Sequence, residues 1–127
     1  MTIREIATIL DAKWISGESN ADQQIRYAFA SDMMSDVLAF TEMDTMLLTG
    51  LVNAQSVRTA EMLDIPCLVF VRGKQPHDDT VRRAIAMDLP TLTTHYSMYE
   101  ACGRLYVAGV GCLDLQDPDG DSAYDDH

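Results

Sequence analysis

The run Cys67-Leu68-Val69-Phe70-Val71 is apolar at every position, with Pro66 before it and Arg72-Gly73 after it. A strand with one face in water alternates apolar and polar residues, whereas a strand covered on both faces does not. A chain that contains such a strand has to supply helices for both faces of its sheet. The rest of the sequence supplies them. Trp14-Ile15-Ser16, Ile25–Ala30, Thr45–Leu48 and Thr91–Thr93 read as further strands, and helical patterns separate them. Thr2 and Glu5 have the spacing of a capping box ahead of the stripe Ile3, Ile6, Ala7, Leu10. Met33–Phe40 reads as a short helix. Asn53 caps a helix to about Leu63, with Ala54, Val57, Ala60 and Met62 or Leu63 inward. Asp78 or Asp79 opens another helix, and Ser97 with Glu100 forms a second capping box for a helix to about Val107. Alternating strands and helices predict an α/β fold, a mostly parallel sheet of about five strands covered by helices.

At 127 residues the chain has the length of one domain, and its 47% hydrophobic content is enough for a core. The domain is expected over residues 1–111. Residues 112–127 are expected to be an acidic, disordered tail. From Leu113 onward there are six Asp and no Lys or Arg, so the net charge of −11 falls to −5 without them (14 acids, 9 bases). Such a surface repels phosphate polymers, which excludes nucleic-acid binding as a function class. A small anion is still acceptable at a local site. No apolar run reaches the roughly 20 residues of a membrane span. MTIREIATIL lacks the basic and apolar regions of a secretory signal, so a cytoplasmic location is expected. Three cysteines, Cys67, Cys102 and Cys112, form no C-x-x-C, and Cys67 and Cys102 read as buried free thiols. The methionines Met33, Met34, Met43, Met46, Met62, Met87 and Met98 read mostly as core filling.

In an open parallel sheet, ligands bind beyond the carboxyl ends of the strands. Four strands end here in polar or glycine-containing steps: Ser31-Asp32, Thr49-Gly50, Arg72-Gly73-Lys74 and Thr93-Thr94-His95. With Asn53 at the following helix start, they define a candidate ligand rim. Each member also has a plain structural reading. Ser31 or Asp32 is placed to cap the helix that follows its strand. Gly50 suits a tight turn, and Arg72, Lys74 and His95 suit a solvated surface. Catalysis finds little support. No G-x-S-x-G elbow accompanies the serines, His95 is the one rim histidine, and Gly73-Lys74 is followed by Gln75, which breaks a P-loop. No cofactor or metal ligand set is expected. Asp117-Pro118-Asp119-Gly120-Asp121 has Leu115 where a calcium loop needs an acid.

The segments SDMMSDVL, LLTGLVNAQSVRTAEMLDIPCLVFVRGKQP and LTTHYSMYEACGRLY together resemble the stand-alone DRTGG-domain proteins over roughly residues 1–110. Similar domains form the middle part of some phosphotransacetylases and lie between CBS domains in regulated pyrophosphatases. The fold implied is that of the N-terminal domain of HPr kinase/phosphorylase, without the kinase's catalytic part. The Asp-Arg step of the family reads Gly50-Leu51-Val52 here and the Thr-Gly-Gly step reads Arg72-Gly73-Lys74, with the following proline kept as Pro76. The resemblance implies a non-enzymatic regulatory module, a homodimer, a small phosphorylated or nucleotide-like ligand, and a redox-enzyme partner of the hydrogenase type. The other reading is an assembly module without a small ligand. An acyl- or phosphoryl-transfer enzyme is disfavoured for lack of a nucleophile–base pair.

Overall fold

A computed structural model describes residues 1–115. Helix α1, Ile3–Ile9, begins as its sequence dictates. The Thr2 hydroxyl accepts the Glu5 backbone N–H, and the Glu5 carboxylate accepts the Thr2 backbone N–H, which closes the capping box. These bonds, the backbone one foremost, hold the Glu5 carboxyl below the usual carboxylate range. The elements that follow are β1 (Lys13–Ser16), a 3₁₀ turn (Glu18–Asn20), β2 (Tyr27–Ala30), α2 (Met34–Phe40), β3 (Thr45–Thr49) and α3 (Ala54–Met62). Then come β4 (Leu68–Phe70), α4 (Asp78–Ala86), β5 (Thr91–Thr93), α5 (Met98–Ala108) and β6 (Gly111–Cys112).

The strands form one sheet in the order β1-β5-β4-β3-β2-β6. All neighbours run parallel except β1, which lies antiparallel on β5. Five of the strands are those expected from the sequence. The sixth, β6, is a two-residue edge strand with no period of its own, held by its pairing with Tyr27 and Ala28. The tail readings from residue 116 onward, the Asp117–Asp121 loop included, lie outside the described residues.

The side chains of β3 and β4 are buried throughout, as the unbroken apolar pattern requires. One face of the sheet packs under α1 and α5 around Ile6, Leu10, Met46, Val69 and Leu105. The opposite face packs under α2, α3 and α4 around Val37, Leu47, Val57, Phe70 and Ala84. The methionines divide between core and surface. Met34 and Met46 are buried, but Met33, Met43 and Met62 are exposed, so the core-filling reading fails for those three. At the end of α3 it is Leu63 that turns inward. In α5 the Ser97 hydroxyl accepts the Glu100 N–H as expected. The Glu100 carboxylate turns instead to Arg104, accepting from both Nε and Nη2 at 3.0 and 2.9 Å.

Thr45 is fully buried at the start of β3, and its Oγ1 is the one buried side-chain polar atom without a hydrogen-bond partner among the described residues. A buried hydroxyl left unpaired costs about 1–3 kcal/mol. Thr45→Val keeps the shape and removes the hydroxyl. It should raise stability by about 1 kcal/mol in chemical denaturation. A loss of about 1 kcal/mol instead would mean that the hydroxyl is paired in solution.

Candidate ligand-binding rim

The parallel strands deliver their carboxyl ends to one edge of the sheet, and the turns after β2, β3, β4 and β5 meet there. The first three converge on Gly50, and the turn after β5 joins through the turn after β4. Asp32, after β2, reaches across to the turn after β3: its Oδ1 accepts the Gly50 backbone N–H at 2.6 Å and the Thr49 hydroxyl at 3.0 Å. Thr49 Oγ1 in turn accepts the Leu51 N–H at 3.1 Å. Lys74, after β4, donates from Nζ to the Gly50 carbonyl at 3.2 Å. The Arg72 guanidinium lies against the Gly50 backbone. A Cβ built on Gly50 would sit 2.6 Å from Arg72 Nη2 and 3.3 Å from Nε. A glycine is therefore what lets the guanidinium settle there.

Asp32 thus has a role different from helix capping. The N-cap of α2 is Met33, which has no side-chain capping bond. Ser31 Oγ accepts the Met33 N–H at 3.0 Å and so only shapes the approach to the helix. Asp32 instead ties the turn after β2 to the turn after β3. No local pattern reveals this, because the two residues it holds lie on another strand. Asn53 behaves as expected, its side chain accepting the Gln55 N–H to start α3.

The turn after β4 is strained in an informative way. Arg72 has φ +67° and Gly73 φ +65°. Five non-glycine residues among those described have positive φ; the other four are aspartates, which tolerate that region better. An arginine there costs roughly 1–2 kcal/mol. Two backbone bonds to the loop after β5 hold it, Arg72 N to Tyr96 O at 2.8 Å and Gly73 N to Thr94 O at 2.9 Å. Observed strain of this kind is a pointer to function.

The loop after β5 is tied inward by one of its threonines. Thr94 is buried, and its hydroxyl donates to the Leu10 carbonyl at 2.7 Å and accepts the Tyr96 N–H. Its hydroxyl is thus an internal brace, while the residue itself lines the groove beside it. Thr93 is partly buried, and His95 is exposed with its ring against Tyr96. His95, Thr94, Thr93, Gly73 and Gln75 line a groove of about 260 Å³ together with Asp11 and Lys13. Lys13 is a rim residue that the sequence reading missed. Because β1 is antiparallel, its first residue pairs with Thr93, the last of β5. Only the direction of β1 would have disclosed it. Three of the nine basic residues, Lys13, Arg72 and Lys74, are thereby gathered at one edge of a chain of net charge −11, with Asp11 and Asp32 as their acidic neighbours.

The described residues contain no group of three or more His, Cys, Asp or Glu arranged to hold a metal ion. Cys67 is buried and burial pushes its thiol up to about 12, while partial burial raises that of Cys102. Neither is a ready nucleophile at neutral pH. No helix among the described residues is long and apolar enough to cross a membrane.

No protein-family model and no curated protein matches the chain. Among solved structures, it is similar to the CBS and DRTGG domains of the regulatory region of Clostridium perfringens pyrophosphatase, a structure holding the activator diadenosine tetraphosphate. The TM-score is 0.65 at 14% identity, over 91% of this chain and 52% of that one. The chain therefore spans about half the length of that regulatory region. Its single domain, with a six-stranded, mostly parallel sheet between two helical layers, has a DRTGG-like fold.

Proposed function

We propose that this chain is a non-enzymatic regulatory module that binds a small phosphorylated or nucleotide-like ligand at the rim around Gly50. The observation that carries this reading is the Arg72 guanidinium, seated against a glycine that leaves room for it, on a strained turn, with Lys74 and Lys13 nearby. Arginine presents a planar fork of donors suited to phosphate oxygens, and a local cluster of cations favours an anion even on an acidic protein. The pyrophosphatase region of similar fold is bound to a nucleotide polyphosphate. That supports the same class of ligand here. We take the module to act as a cytoplasmic homodimer, with the resemblance to stand-alone DRTGG proteins pointing to a redox enzyme as its client.

A second reading, assembly without a small ligand, draws on one observation. Asp32 already occupies the Gly50 N–H and Lys74 the Gly50 carbonyl, so the turn is satisfied by its own residues. Calorimetric titration with pyrophosphate, ATP and diadenosine tetraphosphate separates the two. The ligand reading expects saturable binding that Arg72→Ala weakens by about tenfold or more, the scale of one charge-assisted contact. Gly50→Ala should weaken it similarly while changing the unfolding temperature little, because the methyl displaces only the end of a flexible side chain. Absence of binding to all three at millimolar concentration would favour the assembly reading.

A further inference from the structure

A second groove lies away from the rim. It measures about 930 Å³ and runs between α1 and α5, lined by Ile9, Tyr99, Gly103, Arg104, Val107 and others. On α5, Tyr99 is 91% exposed and Val107 88%. Tyr99, Gly103 and Val107 are four residues apart and so share one face of the helix. Nothing among the described residues explains the middle one. Glycine is a poor helix former, and a Cβ at Gly103 would meet nothing within 4 Å. No neighbour among the described residues demands a glycine there. A backbone approaching from outside would.

We propose that α5 packs against α5 of a second copy of this chain, crossing at Gly103, so that Tyr99 of each copy covers Val107 of the other. A two-fold interface needs a surface complementary to itself. A stripe with glycine at its centre, a large ring four residues before and a branched aliphatic four residues after meets that need. The charges agree. Glu100 and Arg104 flank the stripe and neutralise each other at 2.9 Å, and the Arg104 guanidinium is spread over the Tyr96 ring at 4.2 Å. The face is thus locally neutral on a chain of net charge −11, which lets two like-charged molecules meet there. The inference rests on the reading of the module as a homodimer and gives that dimer its face.

Sedimentation equilibrium over a range of concentrations tests it, with Gly103→Ala and Val107→Glu beside the wild type. The wild type is expected to dimerise and Val107→Glu to stay monomeric. Gly103→Ala should weaken dimerisation on the order of tenfold, the effect of one hindered central contact. It should also raise the unfolding temperature of the dilute monomer, since alanine is the better helix former and its methyl enters open space. That opposite movement of two readouts does not follow from a merely structural role for Gly103, and it decides the matter even where Val107→Glu folds poorly. Both variants dimerising as tightly as the wild type would overturn this face and leave the homodimer reading standing. A wild type monomeric at every concentration would overturn both, and titration of the Arg72 rim would still report on the ligand independently.

Discussion

Gly17→Ala is expected to cost about 3 kcal/mol or more of folding stability, the sum of left-handed backbone strain and a steric overlap in a packed region. Gly17 follows β1 with φ +76°, a conformation that L side chains rarely adopt. Its missing Cβ faces main chain. A methyl there would lie 2.4 Å from Pro90 N, 2.5 Å from Pro90 Cα and 2.6 Å from the Leu89 carbonyl carbon. None of these atoms can swing aside as a side-chain tip does. Next to it, the Ser16 hydroxyl donates to the Leu89 carbonyl at 2.6 Å, and Ser16 is in register with Thr91. Relieving the overlap means prising β1 away from β5. With total stabilities of about 5–15 kcal/mol, a loss of this size is a large share of the whole. Urea denaturation measures it. A change below about 1 kcal/mol would show that the turn relaxes freely, against the close approach described here. Gly17→Val adds a branched chain in the same place and should be at least as damaging. The contrast with Gly50→Ala, where the methyl meets only a guanidinium, separates a glycine needed by the fold from one needed by the site.

The second large effect is expected at Phe70. Phe70→Ala should cost about 3–5 kcal/mol, the range for removing a buried aromatic ring from a core. The ring is 1% exposed and belongs to the cluster with Leu47, Val57 and Ala84, where the helices on that face of the sheet leave no solvent to fill the void. Phe70 also ends β4 two residues before Arg72, and its carbonyl accepts the Thr94 N–H. A loosened strand end would release the strained Arg72-Gly73 turn that it holds in place. Pyrophosphate affinity should therefore fall together with stability. Destabilisation without any loss of affinity would show that the bonds to Tyr96 and Thr94 are sufficient to hold the turn.

Much of this fold is legible in local sequence. The apolar run around Phe70, the capping residues Thr2, Asn53 and Ser97, and the polar steps at four strand ends each act through residues close to them in the chain, so their patterns survive in one dimension. Helix and strand periods, caps and turn residues are local physics, and they settled the α/β class, five of the six strands and the position of the rim. The tertiary structure decided what depends on direction and distance. The antiparallel sense of β1 put Lys13 on the rim, a choice of sheet edge that no period encodes. The two-residue β6 forms only because β2 offers it a free edge. Asp32 left the helix it was placed to cap because the Gly50 N–H and the Thr49 hydroxyl, on a neighbouring strand, came within reach. Thr94 turned its hydroxyl inward because the Leu10 carbonyl, 84 residues away in sequence, came within reach of it. In each case a hydrogen-bonding group chose among partners that exist only once the sheet has assembled. The sequence determined by itself which residues reach the rim's neighbourhood; packing decided which of their hydrogen-bonding groups were taken up by partners within the fold.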